Sequence, residues 1–290
     1  MTPEIHYRIP WRPRAQRPGH HRGSVFGAGQ EFGGYAPLGR APDPRRLDAR
    51  ATLADPLGTW QVRLYQQRTS IPVWLIADLS GSMGAPAGGG KMQRLAQLAE
   101  SLAYSVHRTG DAFGFMGCNE EVIEGLLVPP THARGAGAGV AARLARHTPA
   151  GAGAHGLLSA AAYLGRRRSL AFLASDFHFP QPLLEAVLES LTAHDVVPVV
   201  VWDELRSDGD FQTLPRLGLI ELLDAESGRR RTVLLRPRMH AQWRHRFAQR
   251  RTALQQCFGR FGLRPFHVGR HFRPQAMTAY FYGGDPGAHG

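Results

Sequence analysis

VWLIADLSGSMGAP (residues 73–86) is the stretch on which the reading of this chain turns. An uninterrupted apolar run, 73–77, stops at Asp78, and Ser80 and Ser82 follow at alternate positions among glycines. A short continuous apolar run is the pattern of a strand buried on both faces. The residues after it are either a tight polar turn capping the next helix or three oxygen donors presented at a strand's end.

Outward from that stretch, the pattern repeats. Residues 91–108 carry Met92, Leu95, Ala99, Leu102 and Val106 in an amphipathic helical stripe, with Gly110 as the stop. AFGFMG (112–117) reads as a second strand and EVIEGLLV (121–128) as a third. A Gly/Ala-rich loop with a small helix inside it follows, then a helix over 157–167. LAFLAS (170–175) is another apolar strand, again followed by an acid, Asp176. A helix over 182–194 has Pro in its first turn, and VVPVVVW (196–202) is one more buried strand. Strands alternating with helices at this spacing predict βαβ units and a mostly parallel sheet flanked by helices. Ligands of such sheets sit beyond the carboxyl ends of the strands, where Asp78 and Asp176 both fall. Downstream, residues 219–235 read as a hairpin around DAESG, 239–262 as a long Arg-rich helix and 265–269 as a last strand. Residues 1–30, rich in Pro, Arg, Gly and His, read as an extended arm.

Composition narrows the function classes. The 290 residues suffice for one large domain or two small ones. No apolar run is long enough to span a membrane, and the N-terminus lacks the apolar core of a signal peptide, so a cytoplasmic protein is expected. Cys118 and Cys257 are too few for a disulfide framework and are expected to be reduced, buried thiols. Charge is uneven: residues 1–68 hold 11 Arg and 5 acids, 69–228 hold 11 basic and 17 acidic residues, and 229–290 hold 13 Arg and one acid, which sum to the net +12. Lys91 is the only lysine, so the excess of Arg reads as a compositional bias. No nucleic-acid recognition motif accompanies the charge, and Trp243 and Phe247 fall on a helix's apolar side rather than as stacking aromatics.

Catalytic patterns are missing from the loops. Neither Ser80 nor Ser82 has the flanking glycines of a nucleophile elbow. Lys91 follows three glycines without the spacing of a phosphate loop, and the 14 His form no zinc pattern. Asp and Ser oxygens are instead hard donors suited to Mg²⁺ or Mn²⁺. With few charged ligands, such a cation stays under-neutralised and takes an external carboxylate, which makes the site a receptor rather than a cage.

DLSGSM after an apolar strand resembles the metal-ion-dependent adhesion site of von Willebrand factor type A domains. That resemblance makes Asp78, Ser80 and Ser82 the first-loop ligands and Asp176, in LASDF, the acid at a later strand's end, with Mg²⁺ or Mn²⁺ as the ion. The family also uses a loop Thr. Thr148 lies at a plausible distance, whereas GAGAHGLLSAA (151–161) matches the family's Gly-Gly-Thr segment with Ala154 or His155 at the Thr position. The elements GAGQEF (27–32), GYAPL (34–38), PDPRRLDARA (42–51) and VRLYQQR (62–68) further resemble the DUF58 group of von Willebrand A-like proteins, with Ala49 where that group has Trp. This implies a Rossmann-like α/β domain over 69–290, with 1–68 packed on it as arm and signature region. It also implies a non-enzymatic adaptor or assembly factor that works with a MoxR-type AAA+ ATPase in maturing an enzyme complex, such as a metal-dependent dehydrogenase. Arg45, Arg46 and Arg50 are expected to face a partner, and with Asp48 to form an ion-pair network. The rival reading is a metal-dependent hydrolase or phosphotransfer enzyme using Asp78 and Asp176, with His155 or His178 as base.

Overall fold

The computed structural model describes residues 4–13, 18–84, 90–202, 218–223, 230–235, 237–269 and 271–283. Two compact units are distinguished: Ile9–Ile71 with Thr109–Asp111, and Met1–Arg8 with Pro72–Arg108 and Ala112–Gly290.

The smaller unit is a two-stranded antiparallel sheet of β1 (Pro18–Pro37) and β2 (Gln61–Thr69). Register breaks at four places let 20 residues pair with 9. Those breaks, and the glycines around them, erase the alternation that marks a strand in sequence, which is why 18–30 reads as an irregular arm. Gly19 is required: a Cβ there would lie 2.4 Å from the backbone nitrogen of Ser70. A 3-10 turn, Pro44–Arg46, and helix α1 (Ala49–Ala54) connect the strands. Asp48 caps α1 by accepting from the Ala51 N–H at 3.0 Å and pairs with Arg63 at 2.6 Å. The expected network of Asp48 with Arg45, Arg46 and Arg50 is therefore replaced. The Asp48 carboxylate is shared between its cap and the half-exposed Arg63, and Arg46 pairs with Asp43 at 3.1 Å. Asp111 accepts from the Ile71 N–H at 2.8 Å and lies 2.7 Å from His21.

The larger unit is built on a six-stranded sheet: β3 (Pro72–Asp78), β4 (Ala112–Cys118), β5 (Val122–Thr131), β6 (Leu170–Ser175), β7 (Asp195–Val201) and, far along the chain, β10 (Phe266–Val268). The order is β10-β7-β6-β3-β4-β5, and every pair is parallel except β4 with β5. This is the mostly parallel α/β architecture expected from the alternation of strands and helices. β3 and β6 are buried along their whole length because helices cover both faces. From β3 the chain runs through α2 (Lys91–Arg108) to β4 on one side, whereas from β6 it runs through α5 (Gln181–Ser190) to β7 on the other. The carboxyl ends of β3 and β6 thus diverge at a topological switch point.

On one face Trp74, Ile76, Ala171 and Leu173 pack with Leu184, Val187 and Leu188 of α5. Leu254, Cys257 and Phe258 of α6 (Pro237–Arg260) join the same core. α2 buries Leu95, Leu98, Ala99, Leu102 and Val106, and packs against β3, β4 and α3 (Ala136–Arg146). The expected helix over 157–167 is shorter: a 3-10 turn, His155–Ser159, leads into α4 (Ala160–Leu164), which ends where Gly165 takes φ 69°. β8 (Gly218–Leu223) and β9 (Arg230–Leu235) pair as the expected hairpin, whose DAESG turn lies outside the described residues. α7 (Pro274–Phe281), absent from the sequence reading, brings Phe281 within 6.0 Å of the Phe172 ring.

Candidate functional site

Asp78 and Asp176 are the last residue of β3 and the first after β6, on adjacent strands, and both are buried. Small residues let the first loop turn at once. Leu79 N–H donates to the Cys118 carbonyl at 2.7 Å, and residues 81–84 coil into a 3-10 turn. That turn lays the two hydroxyls side by side, with Ser80 Oγ 3.3 Å from Ser82 Oγ and Ser82 Oγ donating to Asp176 Oδ1 at 3.0 Å. Asp78 Oδ1 accepts from the Ser80 N–H at 2.9 Å, and Oδ2 from Ser175 Oγ at 2.5 Å. Three of the four expected residues are therefore linked through hydroxyl and carboxylate oxygens, and the fourth, Asp78, is tied in through Ser80 and Ser175.

Asp176 sits on a strained corner. Phe177 adopts φ 51°, rare for a bulky side chain, and its N–H donates to Ser175 Oγ at 2.7 Å. Trp202 Nε1 donates to the Asp176 carbonyl at 2.8 Å, and Arg250 of α6 donates to the carbonyls of Phe177 and Phe179. These contacts fix the backbone that aims the carboxylate at the loop.

The two acids titrate apart. Burial, and then the charge of Asp176, pushes Asp78 above its ordinary 3.8 against hydrogen bonds from Ser175 and Ser80. Burial alone would raise Asp176 as well, but the hydrogen bond and charge of His178, then Lys91, outweigh it and hold Asp176 below the usual carboxylate range. His178 Nδ1 lies 3.3 Å from Asp176 Oδ2. Lys91, at the start of α2, is only 4 % exposed, and its Nζ donates to Asp176 Oδ2 at 2.7 Å and to the Ser82 carbonyl at 2.9 Å. Cys118, beside Asp78 on β4, is pushed up to about 12 by burial and then by Asp78, so it stays a neutral thiol.

Hard oxygens at these spacings fit a small divalent cation. Neighbouring ligands of an octahedral ion at about 2.05 Å stand about 2.9 Å apart, and the two oxygen pairs above lie at 3.3 and 3.0 Å. Thr148 is exposed and, among the described residues, makes no hydrogen bond to the four. Its neighbours do reach the loop: Ala150 N–H donates to the Leu79 carbonyl at 3.3 Å and Gly81 N–H to the Gly151 carbonyl at 3.1 Å. Ala154 is buried in the core and His155 is exposed. Arg45 and Arg50 are exposed on the smaller unit. Sequence reasoning missed Ser175 and Lys91. A serine directly before the second acid, and a single lysine in a chain of arginines, were the available signals.

Comparison with known proteins places the chain in a family. A Paracoccus denitrificans protein described as an uncharacterized protein in the moxR 3' region is 40% identical over 105 residues, 36% of this chain and 96% of that relative. Two solved structures are similar in outline. An aerotolerance-related membrane protein from Bacteroides fragilis has TM-score 0.45 and 13% identity over 74% of this chain and all of that one. BatB from Bacteroides thetaiotaomicron has TM-score 0.40 and 12% identity over 73% of this chain and 96% of that one. The profile described as protein of unknown function DUF58 matches residues 45–256, most of the length, and the chain belongs to the DUF58 family.

Proposed function

We propose that this chain is a non-enzymatic adaptor or assembly factor that grips a carboxylate of another protein through an adhesion-type cation site. Asp78, Ser80, Ser82 and Asp176 hold the ion, Mg²⁺ or Mn²⁺, which supplies a Lewis-acidic position for the incoming carboxylate. The observation that carries this reading is the convergence of two buried carboxylates and two serine hydroxyls at the ends of adjacent parallel strands. Ser175 and the Ser80 N–H orient Asp78. Thr148 stands two residues before Ala150, where the chain lies along the loop, and we assign it as an outer contributor. The moxR-region relative supports a MoxR-type AAA+ ATPase as partner, acting with this chain on a client enzyme complex in the cytoplasm. Arg45, Arg46 and Arg50 are the basic residues we assign to that partner's acidic surface.

Affinity capture with the full chain, with and without EDTA and with Asp78→Ala, tests this. A set of proteins that includes an AAA+ ATPase should be held by the wild type and lost both with EDTA and in the variant. Capture that ignores EDTA and the substitution refutes the reading. One observation favours the hydrolytic rival: His178 stands beside Asp176. Its backbone N–H donates to Asp176 Oδ1 at 3.2 Å and its ring Nδ1 lies 3.3 Å from Oδ2, which suits orienting the acid, and purified protein should turn over neither ATP, phosphoesters nor peptides. An activity abolished by Asp176→Asn would reverse that conclusion.

A further inference from the structure

Lys91 stands where nothing in its own helix favours a positive charge. It is the first residue of α2, the end at which the helix dipole attracts anions, and no acid occupies that first turn. The chain has 35 Lys and Arg together, and this is its one lysine. A compact ammonium, unlike a planar guanidinium, aims its whole charge at one point. Its Nζ touches Asp176 Oδ2 and the Ser82 carbonyl, joining the same two residues, the first loop and the end of β6, that a divalent ion would join. His178 Nδ1 lies 3.3 Å from the same carboxylate oxygen.

We propose that Lys91 is the site's built-in counter-cation, and that a divalent ion is held by Asp176 and Ser82 only when the ammonium withdraws. This rests on the cation-site reading above. An ion on Asp176 Oδ1 and Ser82 Oγ, the pair spaced as neighbouring ligands, would face the ammonium held on Oδ2 of the same carboxylate and on the carbonyl of the same serine, a repulsion between cations that burial amplifies. Lys91 therefore keeps the loop ordered when no ion is held and sets the threshold for loading, and a partner carboxylate that stabilises the loaded state drives the ammonium out.

Manganese titration followed by electron paramagnetic resonance, on the full chain, on Lys91→Met and on Asp78→Ala, tests this. Lys91→Met should bind Mn²⁺ tighter by about tenfold or more, the effect of removing a unit charge a few ångströms away at intermediate screening. Equal or weaker binding by Lys91→Met, with Asp78→Ala still blocking it, overturns the counter-cation role and leaves the cation site standing. Absence of Mn²⁺ binding in wild type and Lys91→Met alike overturns both. Should Lys91→Met not fold, amine acetylation of the wild type decides. Because Lys91 is the sole side-chain amine, its labelling is read from the one peptide that contains it. Mn²⁺ should speed that labelling several-fold, and an unchanged or slower rate overturns the proposal.

Discussion

Ser175 does two jobs with one oxygen: its hydroxyl donates to Asp78 Oδ2 and accepts from the Phe177 N–H. Ser175→Ala leaves a buried carboxylate oxygen and a buried N–H without that partner, which should cost about 1–3 kcal/mol in urea unfolding. A loss under a few tenths would mean that water replaces the hydroxyl without penalty. Asp78 carries a pH signature. Its folded value is raised, so its contribution to stability is complete below its ordinary 3.8 and is lost as pH rises through the folded value. Asp78→Asn should therefore unfold at or above the wild-type urea midpoint at pH 7. The difference should shrink as pH falls through that raised value and the wild-type carboxyl takes up its proton. Asp176 has the opposite sign: its folded value is depressed, so its contribution holds above the ordinary 3.8 and is lost only in stronger acid. Of these residues, Asp78, Ser80, Ser82 and Asp176 were legible because the alternation D-x-S-x-S and the strand-ending acid are local patterns. Ser175 and Lys91 were not, because their partners lie 97 and 85 residues away.

At the scale of elements, α3 shows how small residues set packing. The sequence here reads as a Gly/Ala-rich loop with a small helix inside it, and the glycines at 137 and 139 blur where that helix begins, since glycine disfavours helix interiors. It is helical because α2 needs it close. A Cβ at Gly137 would meet Ala103 Cβ at 2.5 Å, whereas one at Gly139 would meet only the end of the Arg143 side chain, at 3.9 Å. Two substitutions in one helix should therefore have opposite signs. Gly139→Ala should stabilise by about 0.5–1 kcal/mol, and Gly137→Ala should destabilise by about 1–3 kcal/mol as α2 and α3 are pushed apart. Thermal unfolding of the pair checks this, and equal shifts would show that the helices separate freely. Strands β3, β4, β6 and β7 were legible because apolar runs bounded by polar residues are unambiguous at that length. β1 was not, because its bulges break the period, and α7 was not, because eight residues carry too little pattern.

For the whole molecule, sheet order is what turns local motifs into a site. Only the reversal between β3 and β6 sets their ends side by side, and sequence alternation predicts the layers but not which strands become neighbours. No described helix is long and apolar enough to cross a membrane. With a cation already supplied by Lys91 and only two carboxylates, the isolated chain should hold Mg²⁺ weakly, at about 0.1 mM or poorer, since Mg²⁺ dehydrates reluctantly. A partner carboxylate should tighten Mg²⁺, and Mg²⁺ should tighten the partner, by one and the same factor. Calorimetric titration of Mg²⁺ into the wild type and Asp78→Ala, each alone and with the captured partner, measures this directly. Binding should be weak alone, tighter with the partner and absent in Asp78→Ala. Micromolar binding by the isolated chain, or binding that survives Asp78→Ala, would contradict that expectation.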